Sequence, residues 1–514
     1  MPPPLSSTAS ALSAHRSEGI TADPEPGAGV IDLYRSVVGT AAATVRRHRL
    51  DVVTDVALVA LYLVLRTAGA DSRLLGPWLV AALIVALIAP TSGLVILASI
   101  APFGEGFFLT RDVGAKTVLA LAVLAAVAVR YLVDRGARIR PSLPVVLAGL
   151  LFLASGLSLL QTWIRWGADY ADAAAQLWFQ GVGVMLIVFV VAVWTAQRGQ
   201  LRPLVAAIAA TAAAGIASLA DFVGGTPVHD GLLSWALVGD QIDRLEGVIQ
   251  SPTATAAMVM LPTMSLLVAA ILAPVSRRVR LLLALVAIPL LAATYLTFNR
   301  AFFIALFAVV VLIGWRVRHR LGIAILGVGL VASIILVPVY LSARSGTLGS
   351  AVEPGQVLIA SDVQRLGAWN AAARMFVDRP LFGQGYRAYR QLSVQFGDPI
   401  LNAPHNEWLR FFAEGGIVVG GLALAFLAVT FLRLARQAHW LVTAALASFG
   451  SLVIAASFNN PFLFNQVTIP GFLIAGSGIG YAQRLAMATT RRGPPDEIDT
   501  ETAASAATMD PADG

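Results

Sequence analysis

The sequence predicts an all-α polytopic membrane protein with about 12–14 transmembrane helices and one large helical loop on the extracytoplasmic side. Three observations predict it. Hydrophobic residues make up 57% of the 514-residue chain and charged residues only 13%, about half the ~25% of a soluble domain. Apolar runs close to the ~20 residues of a bilayer crossing recur along most of the chain. The arginines gather in short loops between these runs, which is the positive-inside pattern of a membrane protein. The formal charge of +7 is therefore read as a sign of topology, and no nucleic-acid partner is expected.

Taken in order, residues 1–50 are polar and rich in Pro, Ala and Ser, and read as a disordered cytoplasmic tail without a signal peptide. Thirteen runs meet or approach spanning length. They centre on 52–69, 74–90, 113–133, 142–161, 176–197, 202–220, 253–273, 280–297, 301–316, 321–341, 416–432, 439–458 and 467–484. A fourteenth, 91–103, is short for a crossing.

The basic residues arbitrate that short run. Arg46, Arg47 and Arg49 share a side with the loops at Arg130–Arg140, Arg198/Arg202, Arg277–Arg280, Arg316–Arg320 and Arg433/Arg436 only if residues 50–113 cross three times. Both termini then lie inside. If the first run is not a full span, the later orientation is unchanged. The expected units are a transmembrane bundle at 51–341, an outer loop at 342–415, C-terminal membrane helices at 416–484 and a disordered cytoplasmic tail at 485–514.

This orientation sends residues 221–252 and 342–415 outward. Within the second loop, Leu366, Trp369, Ala373 and Phe376 recur at three- and four-residue intervals. That spacing predicts an amphipathic helix over 362–377, lying on the bundle or the membrane surface. It stops at Asp378-Arg379-Pro380, a glycine turn follows at 381–386, and a second helix begins near His405.

The outer side also carries the candidate chemistry. Arg300 sits between two apolar runs, where a guanidinium either snorkels to the interface or clamps an anion facing a cavity. His405 opens a helix, where it either caps the backbone or serves as a general base. Glu407 or Glu414 could orient the imidazole, and spacing alone chooses neither. Arg365 and Arg374 on the amphipathic helix and Arg244 in the first outer loop are either surface ion-pair partners or phosphate contacts. Cysteine is absent, which removes disulfides, thiolate nucleophiles and Cys metal sites. The outer acids are scattered and no GxxxxGK[ST] loop occurs, so neither a metal nor another cofactor is expected.

Four segments together resemble the O-antigen ligase and O-antigen polymerase family of bacterial membrane glycosyltransferases. RLEGVIQSPTATA (244–256) is similar to its Arg…Gly…Pro-Asn motif, with Thr253 in place of Asn. TFNRAFFIAL (297–306) is similar to its Ser-Arg motif, with Asn299 in place of Ser. RLGAWNAAARMFVDRPLFGQGY (365–386) resembles its Arg…Trp helix and Gly-x-Gly turn, and HNEWLRFFAEGGIVVG (405–420) its His-Asn…Glu-Gly motif.

The resemblance implies a glycosyltransferase-C-like bundle in the cytoplasmic membrane of a bacterium. It implies transfer of a glycan from a polyprenyl diphosphate on the outer face to a lipid, protein or glycan acceptor, without metal and with inversion. By the same resemblance Arg300, Arg365 and Arg244 hold the diphosphate and His405 deprotonates the acceptor. Asn406, Glu407, Glu414 and Arg374 support them. A repeat-unit polymerase of the same family is the alternative. A polyprenyl-glycan flippase or a membrane scaffold is further off, because few charged residues fall deep in the apolar runs.

Overall fold

The structure, a computed structural model, describes residues 49–68, 72–103, 114–134, 140–224, 245, 247–249, 251–297, 299–317, 354–398 and 403–491. The chain divides into a short unit, Met1–Val52, and a body, Val53–Gly514. The expected membrane run at 321–341, Arg244 and most of both tails lie outside the described residues.

The described regular structure is helical. In chain order the helices are α1 Arg49–Thr67, α2 Ser72–Ile88, α3 Pro90–Ile100, α4 Ala115–Val133 and α5 Leu143–Trp166. Next come α6 Ala168–Gln197, which contains a π turn at Phe179–Gly183, and α7 Arg202–Gly224. They are followed by α8 Pro252–Leu272, α9 Arg277–Leu296, α10 Arg300–Val317, α11 Pro354–Asp378 and the short α12 Ala388–Leu392. The last three are α13 Glu407–Ala435, α14 Trp440–Phe458 and α15 Asn465–Arg491.

Eight of these, α4–α9, α13 and α14, are long and apolar enough to cross a membrane. Of the 12–14 expected spans, eight stand as candidates by length and hydropathy among the described residues, and three of the runs outside that set differ for physical reasons. The run at 91–103 forms only the 11-residue α3, which rises about 16 Å and falls short of the ~30 Å hydrocarbon layer. It is almost wholly buried, and the Lys116 ammonium takes up the Ala101 and Phe103 carbonyls at 2.9 and 2.7 Å where the helix ends. α1 carries Asp51, Asp55 and Arg66. α15 is long, at 27 residues, but rich in glycine because it packs among other helices instead of facing lipid. A Cβ on Gly476 or Gly480 would come within 2.4 Å of the Phe189 or Val193 carbonyl oxygen of α6. Small residues four apart allow that close backbone approach.

Hydrogen bonds between the helix ends mark two chemically different ends among the described residues. At the basic end Gln197 bonds both Arg140 and Gln483, Arg202 pairs with Asp55 at 3.5 Å, and Arg316 bonds the Ala435 carbonyl. At the opposite end the segment 380–398 joins the last turns of α5 to the start of α13, and the last turn of α9 and the start of α10 are the helix ends away from Arg277 and Arg316. Leu245, next to Arg244 in sequence, donates its amide there to the Leu296 carbonyl at 3.2 Å. Of the basic loops that charge patterning assigns to one side, those at Arg140, Arg202 and Arg316 make these contacts among the described residues.

The helix expected at 362–377 lies within α11 and ends at Asp378 as its proline signal predicts. Its buried face is Ala368, Ala371, Ala372 and Met375, packed on Ala388, Tyr389, Leu392 and Ala413. Of the expected stripe, Leu366 and Ala373 are exposed and Trp369 and Phe376 half-buried. The small side chains let α11 approach closely, while Val363, Leu366 and Val377 point away from the protein.

Candidate active site

The loop end is organised by a break in α13. Gly416 has φ 62° and ψ −162°, which no helix accommodates. The break frees two amides and two carbonyls, and an apolar surrounding demands that all four be satisfied. The segment 380–385 does this. Ile417 and Val418 donate to the Pro380 and Leu381 carbonyls at 2.7 and 3.3 Å. The Ala413 and Glu414 carbonyls accept from the Gln384 and Gly385 amides at 3.0 and 2.8 Å. Glycine is required where the two backbones meet. Gly383 has φ 67°, and a Cβ on it would lie 2.4 Å from the Glu414 carbonyl carbon.

α5 forms the floor beneath this turn. Gln161 donates to the Gly383 carbonyl at 3.0 Å, Thr162 to that of Tyr386 at 3.0 Å and Arg165 to that of Gln384 at 2.7 Å. Tyr170, at the start of α6, donates to the Arg387 carbonyl at 2.6 Å. The turn is thereby fixed from two sides, and the residues that follow it line a cavity of about 200 Å³. Its walls include Tyr386, Arg387, Tyr389, Arg390, Arg410 and Glu414.

Arg410 is buried between two carboxylates. Its Nε donates to Glu407 Oε2 at 2.6 Å, and Nη1 lies 3.6 Å from Glu414 Oε2. Glu407 Oε1 accepts the Phe462 amide at 2.9 Å, and Glu414 Oε1 the Tyr389 amide at 3.4 Å. A buried charge persists only when paired and hydrogen-bonded in this way. Glu407 and Glu414, which spacing left as equal partners for His405, are thus both engaged with Arg410.

His405 lies just before α13, and Asn406 is the cap of that helix. The Asn406 Oδ1 accepts the Leu409 amide at 3.1 Å, and its Nδ2 donates to the Ser457 carbonyl at 3.0 Å. His405 itself has φ 49°, in the left-handed region that side chains other than glycine seldom occupy. Arg387, on the cavity wall, has φ 67°. These are the only two such non-glycine residues among those described, and backbone strain of this kind clusters at functional sites. Burial, then the positive charge of Arg365, lower the His405 pKa, against an opposing pull from Asp398. The imidazole is therefore neutral at neutral pH and able to accept a proton.

The sequence-expected residues are distributed as follows. His405 and Arg365 come within electrostatic reach of one another. Arg300 is the first residue of α10 at the same end, and Asn299 caps that helix through Oδ1 to the Ala301 amide at 3.0 Å. Asn and Ser are both favoured at this cap position, so the exchange keeps the helix start. Arg374 is exposed, with its guanidinium near Gly397. Residues that the sequence reading passed over are Arg387, Arg390, Tyr386, Tyr389, Asp398 and Arg410. Their only sequence signal was proximity to the Gly-x-Gly turn and the His-Asn segment. Among the described residues no group of His, Asp or Glu is arranged to hold a metal ion.

Fold and site together define a multi-span helical membrane protein with an arginine- and tyrosine-lined cavity at one end and a half-buried histidine just before α13. Residues 284–424 match the family described as O-Antigen ligase. The match runs from within α9 into α13 and includes Arg300, Arg365 and His405, covering well under half of the chain. It covers three of the four motif segments, and the Arg244 segment at 244–256 lies outside it. No curated protein matches the chain.

Proposed function

We propose that the chain is a membrane glycosyltransferase of the O-antigen ligase type, joining a glycan carried on a polyprenyl diphosphate to an acceptor hydroxyl. The observation that carries this reading is the match of residues 284–424 to that family, with His405 at a left-handed φ and Arg365 within electrostatic reach of it inside the matched segment. The acceptor oxygen attacks the anomeric carbon while His405 takes the hydroxyl proton. The bond from that carbon to the diphosphate oxygen breaks with its electron pair, and the carrier diphosphate leaves. Attack opposite the leaving group inverts the anomeric centre.

Arg300 and Arg365, with Arg244 as a third contact, stabilise the charge that builds on the departing diphosphate. Guanidinium groups are suited to this because their fork matches phosphate oxygens and they stay charged. Arg374 and the Asn406, Glu407 and Glu414 group support the arrangement. Asn406 does so by capping α13, and the two carboxylates by holding Arg410. The bundle is of the glycosyltransferase-C kind, in a bacterial cytoplasmic membrane, with the loop end extracytoplasmic. The basic end then faces the cytoplasm, as the positive-inside rule requires.

Proteoliposomes given a lipid-linked glycan donor and an acceptor on the side of the loop end test the reading. Product forms there without energy input or donor flipping. Movement of the donor across the bilayer without product would identify a transporter instead.

A further inference from the structure

The cavity beside the glycine turn carries cationic groups that the structure leaves without a counter-charge. Of the three arginines on its wall, Arg410 is held by Glu407 and Glu414. The wall's carboxylate is engaged as well: Glu414 Oε2 faces Arg410, and Oε1 accepts the Tyr389 amide at 3.4 Å. Arg387 and Arg390 differ. Among the described residues no carboxylate pairs with either of them, and Arg387 Nε is shielded from water without a hydrogen-bond partner. A guanidinium N–H shielded in this way is costly unless an acceptor meets it.

The Arg387 backbone is held where that acceptor would arrive. It lies in the left-handed region at φ 67°. Its carbonyl accepts the Tyr170 hydroxyl at 2.6 Å, and the Ala388 amide that follows donates to the Gly385 carbonyl at 3.1 Å. Strain of this kind persists only where the surroundings over-determine it.

The rest of the wall is apolar or aromatic: Leu177, Leu463, Ala403 and the rings of Tyr386 and Tyr389. The Tyr389 hydroxyl is committed elsewhere, donating to Asp398 Oδ2 at 2.7 Å and lying 3.1 Å from the Ala368 carbonyl. Its contribution to the cavity is therefore the ring. The Tyr386 hydroxyl is buried and finds no acceptor. Apolar walls with a few placed polar groups are the usual make-up of a small-molecule site. At about 200 Å³, the cavity is smaller than the ~300 Å³ where sites for drug-sized ligands begin, which suits one sugar ring and excludes an oligosaccharide.

We propose that this cavity binds a single sugar ring bearing an oxyanion, either a carboxylate or a phosphate monoester. The aromatic and aliphatic wall takes the C–H face of the ring, and the Tyr386 hydroxyl donates to it. Arg387 and Arg390 take the oxyanion through charge-assisted hydrogen bonds, for which the guanidinium fork is suited. Ala403 of the wall stands two residues before His405, so the bound ring sits next along the chain to the proposed base. That the ring belongs to the transferred glycan or its acceptor rests on the glycosyltransferase reading above; the binding itself does not.

The test is ligand-observed NMR titration of the purified full-length protein with four probes: glucuronate, glucose 6-phosphate, glucose and inorganic phosphate. Glucuronate or glucose 6-phosphate binds more tightly than both glucose and inorganic phosphate, and the tighter of the two identifies the oxyanion. Arg387→Gln and Arg390→Gln each raise that Kd about 10- to 100-fold, the scale of one lost charge-assisted hydrogen bond. If R387Q fails to fold at its left-handed φ, R390Q, at an exposed position, decides. Glucose binding as tightly as the acidic sugars overturns the oxyanion assignment, and inorganic phosphate doing so overturns the sugar ring. Absence of binding by either acidic sugar, or an unchanged Kd in the folded variants, overturns the site. Full glycan transfer by His405→Ala overturns the base assignment and leaves these binding results standing.

Discussion

The Ile417 amide donates to the Pro380 carbonyl at 2.7 Å, across the point where α13 breaks at Gly416. Residues far apart in the motif pattern are thereby stitched at backbone level, and the turn that carries Tyr386 and Arg387 to the cavity is hydrogen-bonded to the helix that follows His405. Gly383→Ala puts a Cβ 2.4 Å from the Glu414 backbone at a left-handed φ. The strain alone is on the order of 1–3 kcal/mol, so the thermal midpoint of the purified protein falls and transfer is lost. Gly367→Ala on α11, with open space around its Cβ position, stabilises by roughly 0.5–1 kcal/mol. Equal effects of the two substitutions would refute the stitching.

Arg410 gives a second test. Arg410→Met leaves Glu407 and Glu414 buried without their counter-charge and destabilises by about 3–5 kcal/mol. Adding Glu407→Gln and Glu414→Gln restores much of that loss, because the uncompensated charges are then gone. Thermal unfolding of the single and triple variants measures it. A single variant as stable as wild type would contradict the buried triad.

The helix cap at Asn299 is a third. Asn299→Ser retains an oxygen for the Ala301 amide and leaves stability within a few tenths of a kcal/mol, whereas Asn299→Ala costs about 1 kcal/mol. Comparison of their thermal midpoints separates the two. A Ser variant as damaging as Ala would show that Asn299 does more than cap.

How much of this was legible in the sequence follows from the physics of each part. The Arg300 segment stood out because charge between apolar runs is costly and therefore conspicuous, and those of Arg365 and His405 through the motifs of the outer loop. The α11 limit at Asp378 and the start of α13 after Pro404 followed from proline chemistry. The buried face of α11 did not, because lipid reverses the soluble rule: Ala368, Ala371 and Ala372 pack inward and the larger Leu366 and Val377 face out. Charge patterning counted α3 as a crossing although the helix is too short to span, and the glycines of α15, which serve packing, lower its hydropathy below that of the eight candidate spans. Arg410 and Asp398 could not be singled out, since their partners Glu414 and Tyr389 meet them only after the 380–398 segment folds onto α13.

The pH dependence of transfer is the fourth expectation. Burial and Arg365 place the His405 pKa below the ordinary value of 6.5. Transfer is therefore flat through neutrality as the ring stays neutral, and declines only on acidification below that value as the ring takes up a proton. Rates at fixed substrate from acidic to neutral pH report this. An acid limb above 6.5 would reverse the sign and remove His405 from the titrating step.

The central claim is that His405 accepts the proton in glycan transfer. The most direct measurement is the lipid-linked glycan in cells whose only copy carries His405→Ala, with protein abundance and membrane insertion checked in parallel. The account predicts normal abundance, accumulated donor and no transferred glycan. Wild-type levels of transferred glycan from that variant would contradict it.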